Sequence, residues 1–236
     1  MKIERIMIKN IPALLFGEDS DKIYIYIHGK NGKNGNKEEA QSLAQIACPK
    51  GYRVLSFDLP EHGERADSKE KLLPWTVLHE LHEVAVFAKQ NSRSASLCAV
   101  SIGAYFSLLA FENEVFDKCL FVSPILDMTA LINKMMMWAS VTPEDLQEKK
   151  EIPTNFGETL SLEYYNYAKF HPILKWQSPT AVLYAGHDNM TERETVTRFC
   201  KKFGCSLRIF EDGEHWFHTE AQLAVLNDFI EKEVSE

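Results

Sequence analysis

Short apolar segments of strand length alternate with longer helical patterns along most of the chain, and this alternation constrains the fold more than any other feature. The clearest strand is the β-branched and aromatic run at residues 23–27, and a helical spacing of apolar residues follows it at residues 37–48. Further strands are predicted at residues 52–57, 95–98, 118–122, 180–185 and 206–210. The pattern is typical of a doubly wound, mostly parallel α/β sheet with helices on both faces.

The length of the chain agrees with this fold class. A chain of 236 residues, of which 45% are hydrophobic, can bury a sizeable core as one large α/β domain. Two short runs at residues 2–8 and 12–16 predict an opening hairpin at an edge of the sheet. No repeat, low-complexity tract or linker divides the sequence, so we interpret residues 1–236 as a single domain.

Charge and cysteine usage exclude several classes of protein. A net charge of −8 argues against binding to nucleic acid or to an anionic membrane surface, since both need clustered Lys and Arg. The 5 cysteines lack the C-x-x-C spacing of zinc or redox motifs. No apolar run approaches the ~18 residues of a membrane span, and the first residues lack the apolar core of a signal peptide. We therefore expect a reduced, cytoplasmic protein.

The alternation stops at Ser123–Pro124. Residues 127–177 contain no predicted strand and concentrate methionine and aromatic side chains. An insertion of this length is more often functional than a plain connection. We interpret it as an inserted helical lid over a pocket, or as a pair of helices packed against the body of the domain.

The stretch Ala99–Gly103 lies where a predicted strand meets a predicted helix. A serine on such a tight turn has its hydroxyl pushed out of the backbone path, provided that small residues flank it two positions away on each side. Gly103 meets this need, whereas Ala99 carries one methyl more than the usual glycine. The first N–H groups of the helix would favour negative charge above Ser101. Ser101 is therefore a candidate nucleophile, with a helix cap as the alternative.

Polar residues follow several of the predicted strands: His28, Ser101, Asp188 and His215. Ligands of open parallel α/β sheets bind beyond the carboxyl ends of the strands, so these residues are candidates for one site. A serine hydroxyl needs a base to take its proton, and an imidazole base needs a carboxylate to fix its tautomer. Ser101, His215 and Asp188 supply these three parts.

Two alternative assignments remain open. His218 lies three residues after His215 and could replace it as the base. Asp127 lies just after a predicted strand and could replace Asp188 as the acid. The remaining candidates are interpreted as structural or rim residues: His28, His62, His187 and Cys98.

The order Ser, Asp, His and the strings around these residues resemble the α/β-hydrolase superfamily, and the match spans nearly the whole chain. The matching strings are His28–Gly29, the loop Asp58–Gly63, the nucleophile elbow at Ser101, Gly186-x-Asp188 and Gly213-x-His215. The resemblance implies a catalytic triad with Ser101 as nucleophile, His215 as base and Asp188 as acid. It also implies an oxyanion hole made by the backbone N–H groups of Lys30 and Ile102, with no metal and no organic cofactor.

The function predicted from these residues is hydrolysis of a small carboxylic ester through an acyl-enzyme. A peptidase, an amidase or a thioesterase of the same fold is the alternative among enzymes. A non-catalytic protein that binds a small ligand is the alternative from another class, because a fold does not fix a function. The methionines and aromatic residues of the insertion suggest a partly apolar acyl or alcohol group.

Overall fold

A computed structural model describes residues 1–30 and 35–234 of the chain. Its strands are β1 (Ile3–Ile8), β2 (Ile11–Phe16), β3 (Lys22–Ile27), β4 (Arg53–Phe57), β5 (Ser94–Val100), β6 (Cys119–Val122), β7 (Glu151–Pro153), β8 (Thr159–Ser161), β9 (Thr180–Ala185) and β10 (Ser206–Phe210). Its α-helices are α1 (Gln41–Ala47), α2 (Pro74–Gln90), α3 (Ile102–Ala110), α4 (Met128–Trp138), α5 (Pro143–Lys149), α6 (Leu162–Phe170), α7 (Arg193–Phe203) and α8 (Glu220–Glu233).

An 8-stranded sheet forms the centre of the molecule, in the order β1-β2-β4-β3-β5-β6-β9-β10. β1 pairs antiparallel with β2, and β2 pairs antiparallel with β4. Every other neighbouring pair in this sheet is parallel. The prediction of a mostly parallel sheet is therefore confirmed, and the opening hairpin lies at its edge as expected.

Helices cover both faces of the sheet, which explains why its strands are almost continuously apolar. In β3 the isoleucines at 23, 25 and 27 belong to one core face and the tyrosines at 24 and 26 to the other. The first face packs against α2, α3 and α7, and the second against α1 and α8. Side chains alternate because successive residues of a strand point to opposite sides of the sheet.

The order of the strands in the sheet determines where the site lies. β5 pairs with β3 on the side opposite to β4, so the connections leave this part of the sheet in two directions. Such a reversal opens a crevice at the carboxyl ends of the strands. His28 follows β3 and Ser101 follows β5, so both residues lie at this crevice.

Residues 127–177 lie between β6 and β9, as predicted, but they are not wholly helical. They form α4, α5 and α6 together with an antiparallel hairpin of β7 and β8. The prediction of no strand in this stretch is wrong, because three-residue strands are too short to give a recognisable alternation. Whether the insertion acts as a lid stays a prediction.

The predicted helix at residues 37–48 is also shorter than expected. Lys37–Ala40 and Cys48–Lys50 are turns of 3-10 helix on either side of α1. Pro49 has no N–H to continue an α-helix, and the chain reverses at Gly51 in the left-handed region. No helix in the described ranges is long and apolar enough to span a bilayer.

Candidate active site

Ser101 occupies a sharp turn between β5, which ends at Val100, and α3, which begins at Ile102. Its backbone has φ 52° and ψ −118°, a sparsely populated conformation for a residue with a side chain. The turn is fixed by hydrogen bonds, since the Ser101 N–H donates to Val122 O at 2.9 Å and the Ser101 carbonyl accepts from Ile125 N–H at 3.1 Å. The hydroxyl is thus held clear of the backbone path.

Close packing of α3 on the end of β3 explains the small residues of the elbow. A Cβ on Gly103 would lie 2.6 Å from the Ile27 carbonyl oxygen and 2.7 Å from that of His28, so only glycine fits. Ala99 is fully buried within the sheet, where it pairs with Ile27 and Phe121. The extra methyl of Ala99 is therefore accommodated in the core, and the tight contact falls at Gly103.

A continuous chain of hydrogen bonds links the three predicted residues. The Ser101 hydroxyl donates to His215 Nε2 at 2.8 Å, and His215 Nδ1 donates to Asp188 Oδ2 at 2.7 Å. The other carboxylate oxygen of Asp188 accepts from the backbone N–H groups of Met190 at 2.7 Å and Thr191 at 3.1 Å. These contacts fix the carboxylate, which in turn selects the imidazole tautomer that can accept the serine proton.

Two neighbouring loops hold Asp188 and His215 together. The loop after β9 and the loop after β10 are joined by hydrogen bonds from Gly186 N–H to Phe210 O and from His187 N–H to Gly213 O, both at 2.8 Å. A Cβ on Gly186 would lie 2.2 Å from the Glu211 carbonyl oxygen. Glycine at this position therefore allows the two loops to approach closely enough for the acid to reach the base.

The alternative acid and base lie elsewhere. Asp127 is the N-cap of α4, where its Oδ1 accepts from Ala130 N–H at 2.9 Å. His218 stacks on Trp216 and bonds the Trp216 carbonyl oxygen through Nδ1 at 2.7 Å. Neither side chain joins the hydrogen-bond chain of Ser101.

Three other candidates also form no hydrogen bond with Ser101, His215 or Asp188. His187 is exposed, and the side chain of His62 bonds its own loop through the Pro60 carbonyl at 2.8 Å. Cys98 is buried in the core, and burial raises the pKa of its thiol to about 12. A thiol with so high a pKa stays protonated at neutral pH and is a poor nucleophile.

The predicted oxyanion donors lie beside the serine. Gly29 packs so closely that a Cβ on it would lie 3.2 Å from Ser101 Cβ, which brings the following residue, Lys30, next to the site. Lys30, Ser101 and Ile102 line the same cavity. The backbone N–H of Ile102 is the first of α3, and the first N–H groups of a helix have no partner within the helix.

His28 fixes the loop that carries Lys30. Its Nε2 accepts from Leu59 N–H at 3.0 Å, so the proton lies on Nδ1, which donates to the Gly29 carbonyl oxygen at 2.8 Å. Burial lowers the pKa of His28 from 6.5 to about 4, and the imidazole is therefore neutral. The interpretation of His28 as a structural residue agrees with these contacts.

This neutral histidine should make the fold sensitive to acid. Between pH 6.5 and pH 4 the unfolded chain binds a proton at His28 that the folded chain does not, so stability falls as the pH falls through this window. At about 1.4 kcal/mol per pKa unit, the free energy of unfolding should fall by about 3 kcal/mol from this residue. Urea denaturation at several pH values between 7 and 5 should show that the free energy of unfolding falls with pH in the wild type. The fall over this range should be smaller in His28→Gln. The exposed His79→Gln is the control, and an equal slope in His28→Gln would contradict the assignment.

A buried ion pair that the sequence did not predict holds the neighbouring loop. Lys37 is 2% exposed, and its Nζ lies 2.6 Å from Asp58 Oδ2 and 2.7 Å from Glu64 Oε1. Burial opposes the charge on this ammonium group, but its hydrogen bonds with the two carboxylates outweigh burial and raise the pKa of Lys37. Asp58 also accepts from the backbone N–H groups of Lys37 and Glu64, at 2.9 and 3.0 Å. The loop Asp58–Gly63, which contacts His28, is thereby anchored.

A cavity of about 380 Å³ opens above Ser101. Its apolar lining comes mainly from the insertion and includes Met128, Leu131, Ile132, Met135 and Leu160. The tip of the β7–β8 hairpin closes one side, where Glu158 forms an ion pair with Lys30 Nζ at 2.5 Å. A larger cleft of about 550 Å³ lies between α4, α6 and α7, but Ser101 does not line it.

Within the described ranges, no set of three or more His, Cys, Asp or Glu side chains is placed to hold a metal ion. The contacts at Ser101 allow a proton to pass from its hydroxyl to the imidazole of His215, which Asp188 orients.

This chain is similar to known proteins in its structure, whereas comparisons of its sequence found no match. No family model matches the chain, and no curated protein has a similar sequence. Est1E from Butyrivibrio proteoclasticus, solved with ferulic acid bound, is 17% identical and superposes with a TM-score of 0.75 over 97% of this chain and 96% of its own. The mouse alpha/beta hydrolase domain-containing protein 10 is 13% identical, with a TM-score of 0.72 and 98% of both chains covered.

A third similar structure is the thioesterase domain from the curacin biosynthetic pathway. It is 17% identical, with a TM-score of 0.60, and the match covers 98% of this chain and 99% of that one. The chain has the α/β-hydrolase fold. The fold expected from the resemblance of the sequence is thus confirmed, and in this α/β-hydrolase fold the elbow, Asp188 and His215 occupy the carboxyl edge of the sheet.

Proposed function

We propose that this protein is a serine hydrolase that cleaves a small carboxylic ester through an acyl-enzyme. The observation that carries the proposal is the unbroken chain of hydrogen bonds from Ser101 through His215 to Asp188, at 2.8 and 2.7 Å. Such a chain supplies a nucleophile, a base and a group that orients the base. A protein that only binds a ligand has no need of all three.

In the acylation step, the Ser101 hydroxyl loses its proton to His215 Nε2 as Oγ attacks the carbonyl carbon of the ester. The negative charge that develops on the carbonyl oxygen is stabilised by the backbone N–H groups of Ile102 and Lys30. His215 then gives its new proton to the oxygen of the leaving alcohol. The products of this step are the free alcohol and an ester between the acyl group and Ser101.

Deacylation repeats the same transfers with water. His215 Nε2 takes a proton from the water as the water oxygen attacks the acyl carbon, and the same two N–H groups stabilise the oxyanion. The proton returns to Ser101 Oγ as the carboxylic acid leaves. Asp188 stays ionised throughout and stabilises the imidazolium that forms in each half of the reaction.

The similar structures support ester hydrolysis as the reaction class, since they include the esterase Est1E and a thioesterase domain. Thioester hydrolysis is the second candidate, because the thioesterase domain shares the fold over nearly its whole length. Rates on a p-nitrophenyl ester, a matched acyl thioester and an aminoacyl arylamide separate the esterase from the thioesterase and from a peptidase or amidase.

A fluorophosphonate tests the proposal directly. This reagent phosphonylates activated serines, so intact-mass spectrometry should find a single adduct on the wild-type chain and none on Ser101→Ala. The exposed Ser42→Ala, on the surface of α1, is the control and should be labelled like the wild type. A wild type that gains no adduct, or a Ser101→Ala variant that is labelled equally, would refute Ser101 as the nucleophile.

A further inference from the structure

Two cysteines outside the proposed active site lie where α7 ends. Gly204 follows the helix with φ 68°, in the left-handed region, and its N–H donates to the Cys200 carbonyl oxygen. The N–H of the next residue, Cys205, donates to the same oxygen at 3.0 Å. A helix end of this Schellman type packs the residue after the glycine against a residue of the last helical turn. Here both of these residues are cysteines.

The spacing of this pair suits a disulfide. Because the Cys205 N–H and the Cys200 carbonyl oxygen are 3.0 Å apart, the two Cα atoms lie within about 7 Å of each other, the limit for bridging two cysteines without moving the backbone. The side chains also contact each other, since the Cys200 thiol hydrogen-bonds to the Cys205 sulfur. Both belong to the same face of the core. All 5 cysteines of the chain are free thiols in this structure.

The two thiols differ in exposure and in acidity. Cys200 is buried, whereas Cys205 is half-buried and reaches the surface. The hydrogen bond from Cys200 lowers the pKa of Cys205, and the same hydrogen bond together with burial raises the pKa of Cys200. The thiolate is the form of cysteine that attacks an oxidant. Cys205 is therefore the nucleophile of the pair, and Cys200 keeps its proton.

The other cysteines lack these properties. Burial raises the pKa of the remaining three thiols, those of Cys48, Cys98 and Cys119. Cys119, on β6, is the alternative partner, because it lies near enough to Cys205 for the two charges to interact. However, its thiol is fully buried and hydrogen-bonds with Ser178 and Thr180. Cys200 is therefore the partner that the contacts favour.

We infer that Cys200 and Cys205 form a reversible oxidation site, at which a hydroperoxide converts the two thiols into a disulfide. The Cys205 thiolate attacks one oxygen of hydrogen peroxide, the O–O bond breaks, and the products are a sulfenic acid on Cys205 and a hydroxide ion. The Cys200 sulfur then attacks the Cys205 sulfur, and the sulfenic hydroxyl leaves with the Cys200 proton as water. Two electrons pass from the pair to the peroxide, and a small thiol reverses the change by exchange.

This oxidation site lies far from the proposed catalytic residues. Cys205 directly precedes β10, and the length of that strand, about 17 Å, separates it from the loop that carries His215. The disulfide would join the end of α7 to the start of β10 without contact with Ser101. The inference therefore goes beyond the proposed function and does not depend on it.

Peptide mapping after treatment with hydrogen peroxide tests the inference. The folded wild type is oxidised, then unfolded and alkylated with N-ethylmaleimide, and it should gain two fewer adducts than the 5 of the reduced chain. Trypsin cleaves after Lys201 and Lys202, so the disulfide should link residues 199–201 to residues 203–208, and dithiothreitol should separate the two peptides. In Cys200→Ala the reaction should stop at the sulfenic acid of Cys205, which dimedone traps.

Cys119→Ala is the matched control, since it removes the alternative partner, and it should form the same linked peptide as the wild type. Three results would each overturn the inference: no linked peptide in the wild type, a link between Cys205 and Cys119, or a loss of thiols spread evenly over the 5 cysteines. Ser101→Ala should form the disulfide as the wild type does, whereas it should not react with the fluorophosphonate. The two proposals can therefore fail separately.

Discussion

Replacing Ser101 with alanine should lower kcat for a small ester by about 10⁵- to 10⁶-fold, and replacing His215 in addition should lower it little further. The two side chains act as one unit, because the hydroxyl is a weak nucleophile without the imidazole and the imidazole has no proton to take without the hydroxyl. They lie 2.8 Å apart in the resting structure, so no rearrangement is needed before the proton moves. Steady-state rates on a p-nitrophenyl ester with Ser101→Ala, His215→Ala and the double variant measure this coupling.

Activity that remains in the double variant should come from the two backbone N–H groups and from binding of the substrate, and it should still exceed the reaction in water. Ser42→Ala and His79→Ala are controls, since both side chains are on the surface, away from the site. Losses that multiply, so that the double variant is far worse than either single one, would show that the two residues act independently and would contradict the mechanism.

Much of the fold could be predicted from the sequence, because both faces of the sheet are covered. A parallel strand buried on both faces is apolar throughout, and the helices between such strands keep a different spacing. Strands at residues 180–185 and 206–210 and the helix at 74–90 are found at the predicted bounds. The turn at Ser101 could also be predicted from the sequence. A turn this tight needs a small residue, Gly103, where α3 meets the end of β3.

The features that escaped prediction depend on contacts between distant parts of the chain. Lys37 is one of 26 Lys and Arg residues, and nothing beside it in the sequence distinguishes it from a solvated lysine. Only the fold brings it to Asp58, which lies 21 positions away. The hydroxyl oxygen of Tyr164 is buried without a hydrogen-bond partner among the described residues, and a sequence pattern does not show such a feature. The short hairpin of β7 and β8 likewise gives too few residues for a periodic pattern.

The second large loss of activity is expected from replacing the acid of the proposed triad, for which Asp188 and Asp127 are the two candidates. Asp188→Asn should lower kcat by about 10⁴-fold, because a neutral amide can donate to His215 Nδ1 and so favours the tautomer whose Nε2 carries the proton. That tautomer cannot accept the proton of Ser101. The carboxylate oxygen now 2.7 Å from Nδ1 would also no longer stabilise the imidazolium. Rates with a p-nitrophenyl ester, from the wild type and each variant, give the comparison.

Asp127→Asn is the matched variant, since it makes the same chemical change at the other candidate. Asn is as good a helix N-cap as Asp, so the hydrogen bond to Ala130 N–H is kept and kcat should stay within about twofold of the wild type. The opposite pattern would move the acid to Asp127 and would require His215 to turn away from Asp188 during turnover. Equal and small losses in both variants would mean that the carboxylate does little beyond packing. In that case the buried side chain of Asp188, held by two backbone N–H groups, would serve the loop and not the base.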